Sequence, residues 1–138
     1  MNDTTAKARK IFAADRYATE MTGIELTSVG DHEATCTLTA TDSHCNARGM
    51  VMGGALYTMA DFAAAIAANS DCLDDDSLHW VSLDASAHYL SPAPADSHLV
   101  AHSKAMKLGR SNALYQTIIE SPDNGKMIAI VETTMIYV

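Results

Sequence analysis

Apolar side chains recur along this chain at two periods, and the changes of period divide it into elements. In residues 4–21, Ala8, Ile11, Ala14, Ala18 and Met21 return at spacings of three and four, the period of a helix with one apolar face. Asn2 or Asp3 supplies an N-cap and Gly23 stands just past the end, so the pattern predicts one amphipathic N-terminal helix. From 24 to 29 and from 32 to 40 the period becomes two. There Ala34, Cys36 and Leu38 alternate with Glu33, Thr35, Thr37 and Thr39 beyond a turn at Gly30-Asp31, which predicts an antiparallel hairpin with one wet face. Residues 41–52 read as a polar loop. Residues 53–70 are rich in Ala, with Leu56, Met59, Phe62, Ala63 and Ile66 as their bulk, and a helix so nearly apolar all round has to be buried on most sides.

Residues 71–77 form an acidic surface loop, after which the chain reads as strands over about 79–90, 97–108, 113–120 and 127–138. Their separators carry turn chemistry: Ser91-Pro92-Ala93-Pro94, Gly109-Arg110 and Ser121-Pro122-Asp123-Asn124-Gly125. Such short connections favour antiparallel pairing. The last strand is apolar on both faces and is expected to lie centrally in the sheet. The expected plan is of the α+β class: a helix, a hairpin, one long buried helix and four strands, with a single antiparallel sheet curled around the long helix.

A length of 138 residues with 48% hydrophobic and 19% charged side chains gives one domain over 1–138, since two independent cores would need roughly 100 residues each. No apolar run approaches the ~20 residues of a spanning helix, and no secretory leader is recognisable. A formal charge of −8 repels polyanions, which argues against nucleic acid as partner. Cys36, Cys45 and Cys72 are odd in number and fit neither a disulfide framework nor a paired-cysteine zinc site, so a reducing, cytoplasmic setting is the default. His98 and His102 fall too far apart along a strand to share a metal. His44-Cys45 has no zinc frame around it, and the aspartates at 71 and 74–76 lack the pattern of a calcium loop. No metal is expected.

Asp61 is the anomaly of the long helix, because an unpaired carboxylate among apolar side chains costs several kcal/mol or titrates late. Either it emerges at the helix's one wet edge or is satisfied by a neighbouring hydroxyl, or it works as a general base or nucleophile in a water-poor cleft. Gly53-Gly54 opens the same helix, where free N–H groups and the positive dipole end favour developing negative charge; plain close packing would also select glycine there. Gly53 and Asp61 are eight residues apart, hence about 12 Å and about 80° apart on one straight helix. They cannot meet at one carbonyl from the same chain. If they act together, a twofold partner must supply one of them.

The stretch from Asn46 through Arg48, Gly49, Met52, Gly53 and Gly54 to Asp61 resembles the signature of hot-dog-fold acyl-CoA thioesterases of the phenylacetic acid degradation (PaaI-like) type: Asn, two residues, Gly, two residues, His-Gly-Gly, then Asp in the helix. Val81-Ser82-Leu83-Asp84, Tyr89-Leu90-Ser91-Pro92-Ala93, Gly109-Arg110 and Asn124-Gly125-Lys126-Met127-Ile128-Ala129 are similar to later segments of that family in the same order. The resemblance implies a six-stranded sheet wrapped around one helix, dimers that form a continuous sheet, and dimers of dimers. It also implies hydrolysis of an acyl-CoA thioester with no separate cofactor, coenzyme A being part of the substrate. Asn46 and the Gly53 N–H would come from one subunit and Asp61 from the other, with Ser82 as an assisting hydroxyl. Simple alternation, however, sets Ser82 with Asp84 and Ser86, and so toward solvent.

The chain departs from the pattern at Met52, where the family has histidine, and a thioether has no N–H to donate. A slower or differently selective thioesterase follows, and an acyl-CoA-binding protein without turnover is the alternative. A hot-dog dehydratase or hydratase would need a histidine there. On an acidic protein the phosphates of coenzyme A require a local positive patch, for which Lys104, Lys107 and Arg110 near one strand end, and Arg48 before the helix, are the candidates. Leu56, Tyr57, Met59 and Phe62 are expected to wall the acyl pocket.

Overall fold

The computed structural model describes residues 1–75 and 77–138. Its elements, in chain order, are α1 (Asp3–Phe12), a π-helical turn (Tyr17–Thr22), β1 (Glu25–Gly30), β2 (Glu33–Thr39), α2 (Gly53–Ala68), β3 (Trp80–Tyr89), β4 (His98–Leu108), β5 (Asn112–Ser121) and β6 (Lys126–Tyr137), with single 3₁₀ turns at Asp42–His44 and Leu73–Asp75. The six strands make one wholly antiparallel sheet in the order β1-β2-β4-β5-β6-β3. It curls around α2, which touches every strand.

The N-terminal helix is shorter than its periodicity predicts. Asn2 caps it, its Oδ1 accepting from the Thr5 N–H at 2.7 Å. After Phe12, which packs edge-on against Phe62 of α2 at 6.2 Å, the i→i+4 ladder gives way to tighter bonds, Ala14 N–H to Ile11 O and Asp15 N–H to Phe12 O. The Asp15 carbonyl then starts a new turn by accepting from the Ala18 and Thr19 N–H groups. Anchoring Phe12 and burying Ala18 both serve the core better than one straight rod would. Gly23, at φ +83°, ends the segment in the left-handed region.

Along β2 the alternation of buried Ala34, Cys36 and Leu38 with more open threonines is the wet-faced strand its sequence predicts. The last strand, β6, is interior but not central: β5 lies on one side and the edge strand β3 on the other. Its inward side chains, Ile128, Val131 and Met135 among them, are buried. β3 is the outlier. None of its ten residues is buried, and Val81, Leu83 and Tyr89 stand exposed. The helix end is tied to this strand by Asn69, itself 1% exposed. Its carboxamide donates to Ala65 O and Trp80 O and accepts from the His79 and Trp80 N–H groups, at 2.9–3.0 Å.

Of the acidic loop, Asp74 pairs with Lys7 of α1, a bond between surface groups, while Asp76 lies outside the described residues. No helix among the described residues is long and apolar enough to cross a membrane.

Candidate functional site

The loop before α2 is folded by its own polar groups. Asn46 N–H donates to Met50 O at 2.8 Å, and Asn46 Oδ1 accepts from the Arg48 and Met50 N–H groups at 2.9 and 3.2 Å. Gly49 closes the turn at φ +79°, a conformation that glycine adopts without strain. The side-chain oxygen of Asn46 is thereby spent on the loop, which leaves its NH₂ as the group available for other work.

Met52 is the N-cap of α2, with extended backbone and no side chain capping the first turn. The first N–H groups of the helix therefore have no intrahelical partner. Gly53 is glycine for a reason of space: a Cβ there would sit 2.9 Å from Tyr89 Cζ. The Tyr89 ring lies against the helix start, and only a bare Cα admits it. Asn46, Arg48, Gly53, Leu56, Tyr89 and Leu90 together line a cavity of about 510 Å³. Tyr89 thus belongs to the site, although alternation along β3 marks it only as one more strand residue.

Asp61 opens elsewhere. α2 leaves one strip of its surface exposed, at Gly54, Tyr57 and Asp61, positions three and four apart on one face. On the single chain Asp61 is therefore not a buried carboxylate; it emerges at a wet edge of the helix, one of the alternatives its sequence context leaves open. It lines a second cavity of about 520 Å³ with Asp15, Arg16, Tyr17, Thr58 and Phe62. The alternation that sets Ser82 toward solvent is corrected. Its hydroxyl faces inward and donates to Asp61 Oδ1 at 3.1 Å. A β-bulge between Ser82 and Asp84 shifts the alternation by one, so Ser82 shares its face with Ala85, Ala87 and Tyr89 instead of with Asp84 and Ser86.

A third cavity, of about 230 Å³, holds Met52 and Gly54 with Tyr17, Met21, His44 and Thr58. His44 is the imidazole nearest in sequence to the position that Met52 occupies, but it is fully engaged. Its Nδ1 accepts from the Thr41 N–H at 2.9 Å and its Nε2 donates to Thr22 O at 2.6 Å, pinning the loop to the end of the π-helical turn. Met52 itself is 54% exposed.

Asp15 escapes sequence reasoning because it reads as one polar position of a continuous helix; only the break after Phe12 turns it toward Asp61. Burial, and after it the negative charge of Asp61, push the Asp15 carboxyl above the usual carboxylate range. The four expected phosphate contacts do not converge on one chain. Arg48 lines the Gly53 cavity. Lys107 and Arg110 lie near the sheet end where β3 begins, away from the Tyr89 end where Gly53 packs, whereas Lys104 lies mid-sheet, in register with Gln116, Glu132 and Ser86. Of the expected pocket walls, Leu56 and Phe62 line cavities, whereas Met59 is wholly buried in the core.

Residues 48–128 match the family model described as the thioesterase superfamily. A putative esterase of Archaeoglobus fulgidus is 30% identical over 92 residues, 67% of this chain and 56% of that protein, so the match spans little more than half of that relative's length. The fold is similar to that of the E. coli PaaI protein from the phenylacetic acid degradation operon, with a TM-score of 0.83 at 24% identity over 99% of this chain and 96% of that one. It is also similar to a hypothetical thioesterase of Streptococcus pneumoniae solved with coenzyme A, with a TM-score of 0.81 at 22% identity over 94% and 96% of the two chains.

Proposed function

We infer the reaction from the premise that this chain belongs to the thioesterase superfamily, and propose that it hydrolyses an acyl-CoA thioester, in the manner of a PaaI-like hot-dog enzyme, at a site shared between two copies of the chain. The observation that carries the reading is the separation of Asp61 from Gly53, which open into different cavities of one protomer. Each protomer then offers half of two sites. The unprotected ten-residue edge of β3 is the element that a second copy would extend, edge to edge, and pairing there brings the Asp61 side of one copy toward the Gly53 side of the other. A dimer of dimers is the fuller assembly.

In this reading the thioester carbonyl oxygen sits at the start of the partner's α2, where the Gly53 N–H and the helix dipole stabilise the oxyanion as it forms. The Asn46 NH₂ holds the attacking water or the thioester. Asp61, oriented by the Ser82 hydroxyl, takes the proton of that water; attack by Asp61 itself is the variant mechanism. The hydroxide oxygen bonds to the carbonyl carbon, the C–S bond breaks, and the thiolate leaves with the proton that Asp61 took up. No cofactor enters, since coenzyme A arrives as part of the substrate. Met52 and Gly54 line the mouth of the cleft, and Arg48, Lys104, Lys107 and Arg110 are the cations assigned to its phosphates. Coenzyme A bound to the S. pneumoniae thioesterase supports this ligand. The three free thiols support a cytoplasmic setting.

Thiol release from a panel of aryl and medium-chain acyl-CoAs tests the reading. Wild-type protein is expected to turn over at least one of them, and Asp61→Ala to lower that rate by roughly 10²- to 10⁴-fold. Activity untouched by Asp61→Ala would remove the base from the mechanism, and acyl-CoA binding without thiol release would make the protein a binding module.

A further inference from the structure

We propose that the Tyr89 hydroxyl is a catalytic donor of the cleft, one that holds the thioester carbonyl oxygen together with the Gly53 N–H as that oxygen becomes an oxyanion; this rests on the thioesterase reading above.

The placement starts from two main-chain ties. Tyr89 is the last residue of β3, where it pairs with Ala129 of β6, and the Leu90 and Ser91 N–H groups that follow both donate to Ile128 O, at 2.8 and 3.2 Å. A little further on, Ala93 O accepts from the Val51 N–H at 2.7 Å, and Pro94 bridges to Met50. The loop that leads into α2 is thus stitched to the segment that leaves β3, and the Tyr89 ring is delivered to the start of the helix.

The resulting contact is close. A Cβ built on Gly53 would have Tyr89 Cζ at 2.9 Å, Cε2 at 3.1 Å and the hydroxyl oxygen at 3.3 Å as its nearest neighbours from elsewhere in the fold. By ordinary bond lengths that point lies about 2.5 Å from the Gly53 nitrogen, so the hydroxyl and the N–H are no more than about 6 Å apart. Two donors that each hold one oxygen at about 2.9 Å can be separated by up to about 6 Å, and a single carbonyl oxygen can therefore touch both. Tyr89 and Gly53 line the same cavity as Asn46. No imidazole serves this point: Met52 has no N–H to donate, and both nitrogens of His44 are engaged elsewhere.

A phenol donates one O–H. When the hydroxide oxygen bonds to the carbonyl carbon, the C=O electron pair moves onto oxygen, and a donor already aimed there strengthens at that moment. The extra strength is given back as the carbonyl re-forms and the C–S bond breaks. Tyr89 keeps its proton throughout and forms no covalent bond. Its contribution belongs to the transition state, so it appears in kcat and not in the binding of a ligand that lacks the carbonyl oxygen.

Two measurements on the full-length chain test this. Tyr89→Phe removes the hydroxyl and keeps the ring on Gly53, so its thermal midpoint should be that of wild type. On an acyl-CoA that wild type hydrolyses, it is expected to lower kcat by roughly 10- to 1,000-fold, with unchanged Kd for the matching S-alkyl-CoA thioether. A smaller fall in kcat, or a thioether affinity lost in step with it, overturns the role of the hydroxyl and leaves the thioesterase reading standing. Wild type that releases thiol from no acyl-CoA overturns the reading, and this donor with it. The second measurement needs no turnover: the infrared C=O stretch of a ¹³C-labelled ketone analogue of acyl-CoA, in which CH₂ replaces the thioester sulfur. Bound to wild type, the stretch should lie at lower frequency than bound to Tyr89→Phe, and the same frequency in both proteins overturns the contact.

Discussion

Ser82 Oγ lies 3.1 Å from Asp61 Oδ1 and donates to it, joining the edge strand β3 to the middle of α2. The bond exists because a single bulged residue rotates Ser82 inward. It gives the carboxylate one fixed orientation and leaves its second oxygen open to the cleft. Ser82→Ala is expected to slow thiol release about 3- to 10-fold through kcat, the equivalent of one ordinary hydrogen bond, with the thermal midpoint within a degree or two of wild type. Ser82→Thr should retain the rate. A Ser82→Ala variant with unchanged kcat would show that Asp61 needs no such support.

Gly53 and Tyr89 form the matching pair on the other half of the proposed site. A methyl group at position 53 would meet the Tyr89 ring at 2.9 Å, but Tyr89 is 52% exposed and its ring can swing aside. Gly53→Ala should therefore cost little stability, under about 1 kcal/mol where a buried overpacked site would cost 1–3. It should nevertheless lower activity markedly, because the displaced ring and the added methyl both intrude where the substrate carbonyl approaches the helix start. Thermal melts beside kinetics separate the two effects, and a large loss of stability with intact activity would contradict this use of the glycine.

Met52 stands at the N-cap of α2 with more than half its surface exposed, so an imidazole fits there without repacking. Met52→His adds a donor near the proposed oxyanion and should raise kcat/KM on at least one acyl-CoA, by roughly 10- to 1,000-fold if the missing donor limits the rate. No gain on any substrate would mean that the backbone N–H groups already carry that stabilisation. His44 cannot substitute, because both of its nitrogens are held by Thr41 and Thr22.

Cys36 reports on the core. Burial raises its thiol from 9.0 to about 12, so the native protein should resist alkylation there at pH 8 while the half-buried Cys45 and Cys72 react first. The fold favours the neutral thiol. This contribution is intact below pH 9, where the unfolded thiol is also neutral, and is lost as the pH rises toward 12 and only the unfolded thiol ionises. Urea midpoints should accordingly fall between pH 8 and pH 10.5, and less so in Cys36→Ala. An equal fall in both proteins would place the alkaline sensitivity elsewhere.

The parts legible in the sequence are those written in period and spacing. The alternation in β2, the alanine-rich core of α2 and the turn residues between strands specify a sheet around a helix, and eight residues between Gly53 and Asp61 suffice to open them into different cavities. What the sequence hides depends on single-residue shifts and on contacts between elements. A bulge in β3 reverses the facing of Ser82. The break after Phe12 answers to the packing of Phe12 on Phe62, and alanines at 13 and 14 give no sign of it. The exposure of Asp61 depends on which narrow strip of α2 the sheet leaves uncovered, and Tyr89 becomes a site residue only because its ring meets a glycine from another element.

The central claim is that one active site takes Asp61 from one protomer and Gly53 with Asn46 from its partner. Complementation tests it most directly: Asp61→Asn and Asn46→Ala chains, each inactive alone, are purified as a tagged heterodimer and assayed for thiol release. Such a pair contains one wild-type site and one doubly defective site, so about half of the wild-type activity per dimer should return. A verified heterodimer as inactive as either parent would contradict the shared site.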